Sequence, residues 1–296
     1  MLRASLIALA LLVIAAGVIW YTVPSLTLFN ALVPKDGGSQ RVARDIAYGG
    51  DPLQALDIYA PDGAGAGDDL PVIVFIHGGG WRTGDRQGYA FAGRALAAQG
   101  FVTVVIGYRL VPQVRFPGFV EDGAAAVRWV RGHISDHGGN GEAITLIGHS
   151  AGGYIAAMLA LDERWLGADR AAITGWVGMA APSDFLPLDK PSTINAFGEA
   201  PDLPATQPIN HGDAGDPPAL IAHGADDDTV NPRQSARLAA RLSEAGVAVT
   251  HKVYPGIGHI KLVTALSRWT RGSAPILSDI ATFIRANDAK RRPSLS

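Results

Sequence analysis

The chain has 296 residues, a formal net charge of −2 at pH 7 and no cysteine. That length suits one large domain, because no Pro/Gly/Ser-rich tract of linker length divides it. The charge leaves no electrostatic footprint for a nucleic-acid partner, and the absence of cysteine excludes a disulfide framework, a thiolate metal site and a cysteine nucleophile without fixing the compartment.

Arg3 precedes an uncharged, mostly apolar run over residues 4–21 that ends in Trp20-Tyr21 and is followed by Pro24. A helix of about 18 residues rises ~27 Å, close to the ~30 Å of a bilayer's hydrocarbon core, and aromatic residues suit its interface. Residues 1–34 are therefore expected to form an uncleaved membrane anchor. The remainder, 35–296, would be exported to the periplasm or the cell exterior. A cleaved signal peptide, which would give a secreted protein, and a buried helix capping the soluble domain are the rival readings.

Residues 44–48 and 53–59 alternate apolar and polar side chains, as paired edge strands do. Continuous β-branched and aromatic runs at 72–76 and 101–106 predict strands buried on both faces, with a helix over 89–99 between them. The alternation continues with a helix over 120–135, a strand over 143–147 and a helix from 151. It goes on with strands at 174–179, 219–223 and 248–254 and helices at 232–245, near 262 and at 276–287. This order predicts an α/β fold with a doubly wound, mostly parallel sheet, helices on both faces and antiparallel strands at the N-terminal edge. Residues 182–216, rich in Pro, Asp and Asn, interrupt the pattern; a functional cover is expected there, and a surface excursion without a role is the alternative.

Four sequence stretches carry chemistry, each just after a predicted strand. His77-Gly78-Gly79-Gly80-Trp81 has backbone N–H groups unshielded by side chains, and it lacks the lysine and hydroxyl of a phosphate-binding loop. Gly148-His149-Ser150-Ala151-Gly152 puts a serine on a strand-to-helix turn, although a plain serine N-cap would read the same way. His223-Gly224-Ala225-Asp226-Asp227-Asp228-Thr229-Val230 offers carboxylates, and Pro255-Gly256-Ile257-Gly258-His259 an imidazole. His133 and His137 have helical spacing without the carboxylate of a zinc motif, so no metal is implied.

Together these motifs resemble the α/β-hydrolase superfamily, specifically its His-Gly-Gly-Gly esterase and lipase branch. Trp81 and the 108–117 stretch look closest to feruloyl-esterase-like and isoprenylcysteine-methylesterase-like carboxylesterases. The resemblance covers roughly residues 41–284. It implies Ser150 as nucleophile, His259 as base and Asp227 as the acid that orients it, with Asp226 and Asp228 as neighbouring alternatives. Oxyanion donors would be the amides of Gly79, Gly80 and Ala151, and Trp81 and Tyr108 would touch substrate. The implied partner is a small-molecule carboxylic ester, with no cofactor. The same machinery could serve an arylformamidase-like amidase or a peptidase, and a catalytically idle, membrane-tethered binding protein is the non-enzymatic alternative.

Overall fold

The computed structural model describes residues 25–291. Eight strands form one sheet in the order β1-β2-β4-β3-β5-β6-β7-β8. They are β1 (Ser39–Ala47), β2 (Ala55–Pro61), β3 (Leu70–Ile76), β4 (Val102–Ile106), β5 (Gly139–His149), β6 (Ile173–Met179), β7 (Ala219–Gly224) and β8 (Val249–Tyr254). β1 and β2 are antiparallel to their neighbours, and from β4 to β8 every pairing is parallel. The predicted doubly wound sheet is the observed one.

Strands β3 and β4 are rich in β-branched residues and are covered on both faces. On β3, Val72, Val74 and Ile76 join one apolar cluster while Ile73 and Phe75 join the cluster on the opposite face. The first face carries α3 (Gly118–His133), α4 (Ala151–Leu161) and α7 (Arg233–Glu244); the second carries α2 (Ala90–Ala97), α8 (His259–Thr264) and α9 (Ile276–Arg291). The remaining helices are α1 (Ser25–Leu32), α5 (Glu163–Leu166) and α6 (Pro191–Phe197). All eleven residues of α4 are buried, which explains a sequence of small and apolar residues with no polar side.

One expectation is corrected. Residues 53–59 do not form an edge strand: β2 lies between β1 and β4, and 55–60 are buried throughout. The polar residue that suggested a solvated face, Asp57, is fully buried and accepts from Arg86 Nε at 3.1 Å and from the Asp45 amide at 2.9 Å. Alternation here reflects an internal ion pair, because a buried carboxylate is tolerated when charged and polar donors surround it.

Among the described residues no helix is long and apolar enough to cross a membrane. The run at 4–21, expected as an anchor, lies outside the described residues. Downstream of it α1 packs on the sheet domain, with Val33 buried and Phe29 edge-on to Phe91 at 5.3 Å.

Candidate active site

Ser150 follows directly on β5 and α4 begins at the next residue. Its backbone has φ 54° and ψ −121°, a left-handed conformation that costs a non-glycine residue about 1–3 kcal/mol. The neighbouring glycines make the turn possible. A Cβ on Gly152 would lie 2.1 Å from the Ile76 carbonyl oxygen, and one on Gly148 would lie 2.1 Å from that of Gly152. The Ser150 amide donates to the Met179 carbonyl on β6 at 2.8 Å, which holds the turn over the sheet edge.

The loop after β8 brings His259 to the serine, and the loop after β7 brings a carboxylate to the histidine. His259 Nε2 lies 2.9 Å from Ser150 Oγ, and His259 Nδ1 lies 2.7 Å from Asp227 Oδ2. A carboxylate only accepts, so Nδ1 carries the proton and Nε2 presents its lone pair to the serine hydroxyl. Asp226 and Asp228 are exposed, whereas Asp227 is buried. Of the three consecutive aspartates, Asp227 is the one against the ring.

Four donors fill the Asp227 carboxylate. The amides of Thr229 and Val230 reach Oδ1 at 2.9 Å each, and His223 Nε2 joins His259 on Oδ2 at 3.0 Å. Burial works to raise the pKa of this acid, but the hydrogen bonds from His223, His259 and Val230 outweigh it and hold the carboxyl far below the usual range. His223, to which sequence reasoning assigned no chemistry of its own, is thus part of the carboxylate's shell. Its Nε2 also faces the Val230 carbonyl at 3.0 Å, so that nitrogen is the donor, and Ser235 Oγ lies 2.6 Å from the other. The clue in the sequence was its position four residues before Asp227.

The glycine loop closes the other side. Gly79 has φ 127°, and its carbonyl accepts from the amides of Arg82 at 3.2 Å and Thr83 at 3.0 Å, which turns the chain back on itself. A side chain there would strike the Thr83 carbonyl at 2.0 Å. The amides of Gly79, Gly80 and Ala151 donate none of the loop and cap hydrogen bonds among the described residues. Gly79 and Gly80 line the cleft, and the Ala151 amide opens α4 beside the serine.

The cleft has a volume of about 910 Å³. Trp81 lines it, 3% exposed, with its ring edge-on to Phe197 at 4.9 Å and to Tyr154 at 5.5 Å. Phe197 and Phe185 come from the 182–216 segment, whose residues Pro182, Phe185, Leu186 and Ser192 also border the cleft. Tyr108 corrects an expectation. It is buried and absent from the lining, stacked on His77 at 4.4 Å with its hydroxyl donating to the His77 carbonyl at 3.0 Å, so it supports the glycine loop from beneath.

Helix α1 supplies a wall that sequence reasoning missed. Leu26 and Thr27 line the cleft, Thr27 Oγ1 donates to Asp85 at 3.0 Å, and Asn30 donates to the Gln87 carbonyl at 2.8 Å and accepts from the Phe91 amide at 2.9 Å. The segment after the glycine loop is therefore braced by residues that precede the sheet.

Two buried histidines beneath the site are expected to make the protein acid-sensitive. Burial pushes His77 down to about 4 and His149 to about 3 from an ordinary 6.5. A histidine with a depressed folded value binds its proton in the unfolded chain first, so its stabilising contribution is complete above pH 6.5 and is lost as pH falls toward the folded value. Each contributes up to about 1.4 kcal/mol per pH unit across that window. Thermal melts should show a Tm that is level above pH 7 and falls between pH 6.5 and 5, where carboxylates remain ionised. A Tm unchanged across that interval would contradict the buried neutral state of both rings.

The BD-FAE family model matches residues 56–242. Esterase LipC of Mycobacterium tuberculosis is 32% identical over 73% of this chain and 59% of its own length. A probable isoprenylcysteine alpha-carbonyl methylesterase, ICMEL1 of Arabidopsis thaliana, is 26% identical over 84% of this chain and 57% of its own. The chain thus spans somewhat under 60% of these curated relatives. In three dimensions it is similar to esterase B from Lactobacillus rhamnosis in an inhibited form, with a TM-score of 0.75 and 20% identity over 94% of this chain and 98% of that one, a likeness of fold.

Proposed function

The chain belongs to the BD-FAE family, an α/β-hydrolase esterase family, and on that premise we propose that it is a serine carboxylesterase acting through Ser150, His259 and Asp227. The observation that carries this reading is the hydrogen-bonded chain from Asp227 to His259 to Ser150, 2.7 and 2.9 Å long, beside amides that donate none of the loop and cap hydrogen bonds among the described residues.

A serine hydroxyl is a weak nucleophile at neutral pH. As Oγ attacks the ester carbonyl, His259 Nε2 takes its proton, and Asp227 stabilises the imidazolium across the Nδ1 bond. The carbonyl oxygen becomes an oxyanion received by the amides of Gly79, Gly80 and Ala151; one such donor is typically worth about 2.7–4 kcal/mol. Collapse breaks the carbon–oxygen bond, and His259 hands its proton to the departing alkoxide, which leaves as the alcohol. Water then attacks the Ser150 acyl ester with His259 again as base, releasing the carboxylic acid and restoring the hydroxyl.

A panel of p-nitrophenyl esters of increasing acyl length, run beside an N-formyl aryl amide, tests the reaction class. Turnover of the esters, with the amide slower by at least tenfold in kcat/KM, is expected. Preference for the amide would move the assignment to a formamidase-like activity. Failure of a fluorophosphonate to label the folded protein would overturn the serine-hydrolase reading.

A further inference from the structure

We infer that Tyr89 and His149 are positioning residues that tie the glycine loop to the loop bearing His259, so that the oxyanion donors and the base move as one unit; the inference rests on the esterase reading above. The link begins at the Gly78 amide, which donates to Tyr89 Oη at 3.1 Å. Tyr89 Oη lies 3.4 Å from His149 Nδ1, and His149 Nε2 lies 3.1 Å from the carbonyl oxygen of His259. Tyr89 and His149 are 2% and 1% exposed, so no solvent competes for these groups.

The direction of every bond follows from the two ends. A carbonyl only accepts, so His149 Nε2 carries a proton. With the ring kept neutral by burial, Nδ1 is an acceptor and the Tyr89 hydroxyl must donate to it. That orientation leaves the phenol's lone pair facing the Gly78 amide, which is the bond observed. All four groups are satisfied in this single arrangement, and a buried network with one solution restricts the loops it joins.

Neutrality matters for a second reason. The His149 and His259 rings lie 4.9 Å apart between centroids, and His259 must become an imidazolium during attack. A cationic His149 would oppose that charge; a neutral one does not. The residue before the nucleophile thus holds the base by its backbone while staying uncharged beside its ring. Gly78 stands at the other end, where a Cβ would lie 3.2 Å from the Ser150 Cβ, so the link spans the site from one wall to the other.

Neither residue meets the reacting atoms, so the expected signature is a fall in kcat without a matching change in KM. Tyr89→Phe deletes one oxygen, and His149→Gln keeps an N–H for the His259 carbonyl while its one acceptor, the amide oxygen, sits a bond further from Cβ than the Nδ1 that Tyr89 meets. Each should lower kcat for a p-nitrophenyl ester by about ten- to hundredfold, with KM within about twofold, counted per serine titrated to completion with a fluorophosphonate. The double variant should fall no further than the worse single one, because both break the same connection. His149→Phe, which loses both bonds, should fall below either. Turnover per titrated serine equal to wild type in Tyr89→Phe, or losses that multiply in the double variant, would overturn the link. A wild-type protein that neither labels nor hydrolyses would overturn the esterase reading and the link together, so the two failures are told apart by the wild-type control.

Discussion

Ser150→Ala is expected to lower ester turnover by roughly 10⁵- to 10⁶-fold and to abolish fluorophosphonate labelling. The hydroxyl is the only part of the side chain that reaches His259, at 2.9 Å, and alanine leaves the base with nothing to deprotonate but water. Structure should be little disturbed. Alanine keeps the Cβ, so the left-handed φ of 54° and its strain are common to both proteins, and the amide bond to Met179 does not involve the side chain. Residual turnover would come from the amides and from substrate binding, which act without a nucleophile. The measurement is a progress curve with purified variant beside a labelling gel. A variant retaining more than about a thousandth of the wild-type rate would remove Ser150 from the reaction.

Asp227→Asn should cost about 10⁴-fold in kcat, while Asp226→Asn and Asp228→Asn stay within a few-fold of wild type. The carboxylate uses both oxygens as acceptors, Oδ1 for two backbone amides and Oδ2 for His223 and His259. An asparagine has one acceptor. If its oxygen keeps the Thr229 and Val230 amides, its NH2 group faces His259 Nδ1 and forces the proton onto Nε2. That tautomer points a hydrogen at Ser150 and cannot act as the base. The same NH2 group opposes the His223 N–H, so no rotamer satisfies all four donors. The flanking aspartates are exposed and make no contact with the ring, hence the contrast. Equal losses at the three positions would leave the orienting role unassigned.

The sheet was legible because these interior strands have no solvated side: 72–76 and 101–106 read as buried on both faces and are buried, the second strand starting one residue later than expected. The side chains proposed to react were placed together by the sequence for a related reason. Ser150 and Asp227 stand within three residues of such strands and His259 follows the exposed edge strand β8, so locating the strands located the rim. Other features depend on partners remote in sequence. Asp57 made β2 look solvated because nothing local reveals Arg86, 29 residues away, as its partner. Tyr108 was given to substrate by the family resemblance alone, yet its hydroxyl is bound to a carbonyl 31 residues earlier. Helix α1 was hidden differently: Leu26 and Thr27 continue an uncharged stretch, and no change of composition marks where the cleft wall starts. His149 and Tyr89 are 60 residues apart, and their connection exists only once the fold brings them together.

The proposed nucleophile follows β5, which is flanked by β3 and β6 near the middle of the sheet, but the proposed base, at the start of α8, is reached from β8, an edge strand exposed along most of its length and paired with β7. Fraying begins where a ladder has one neighbour instead of two. Inactivation by heat or dilute denaturant will therefore run ahead of global melting: the periphery lets go of its imidazole while the centre still presents an intact but unassisted serine, and cooling before collapse should bring the lost turnover back.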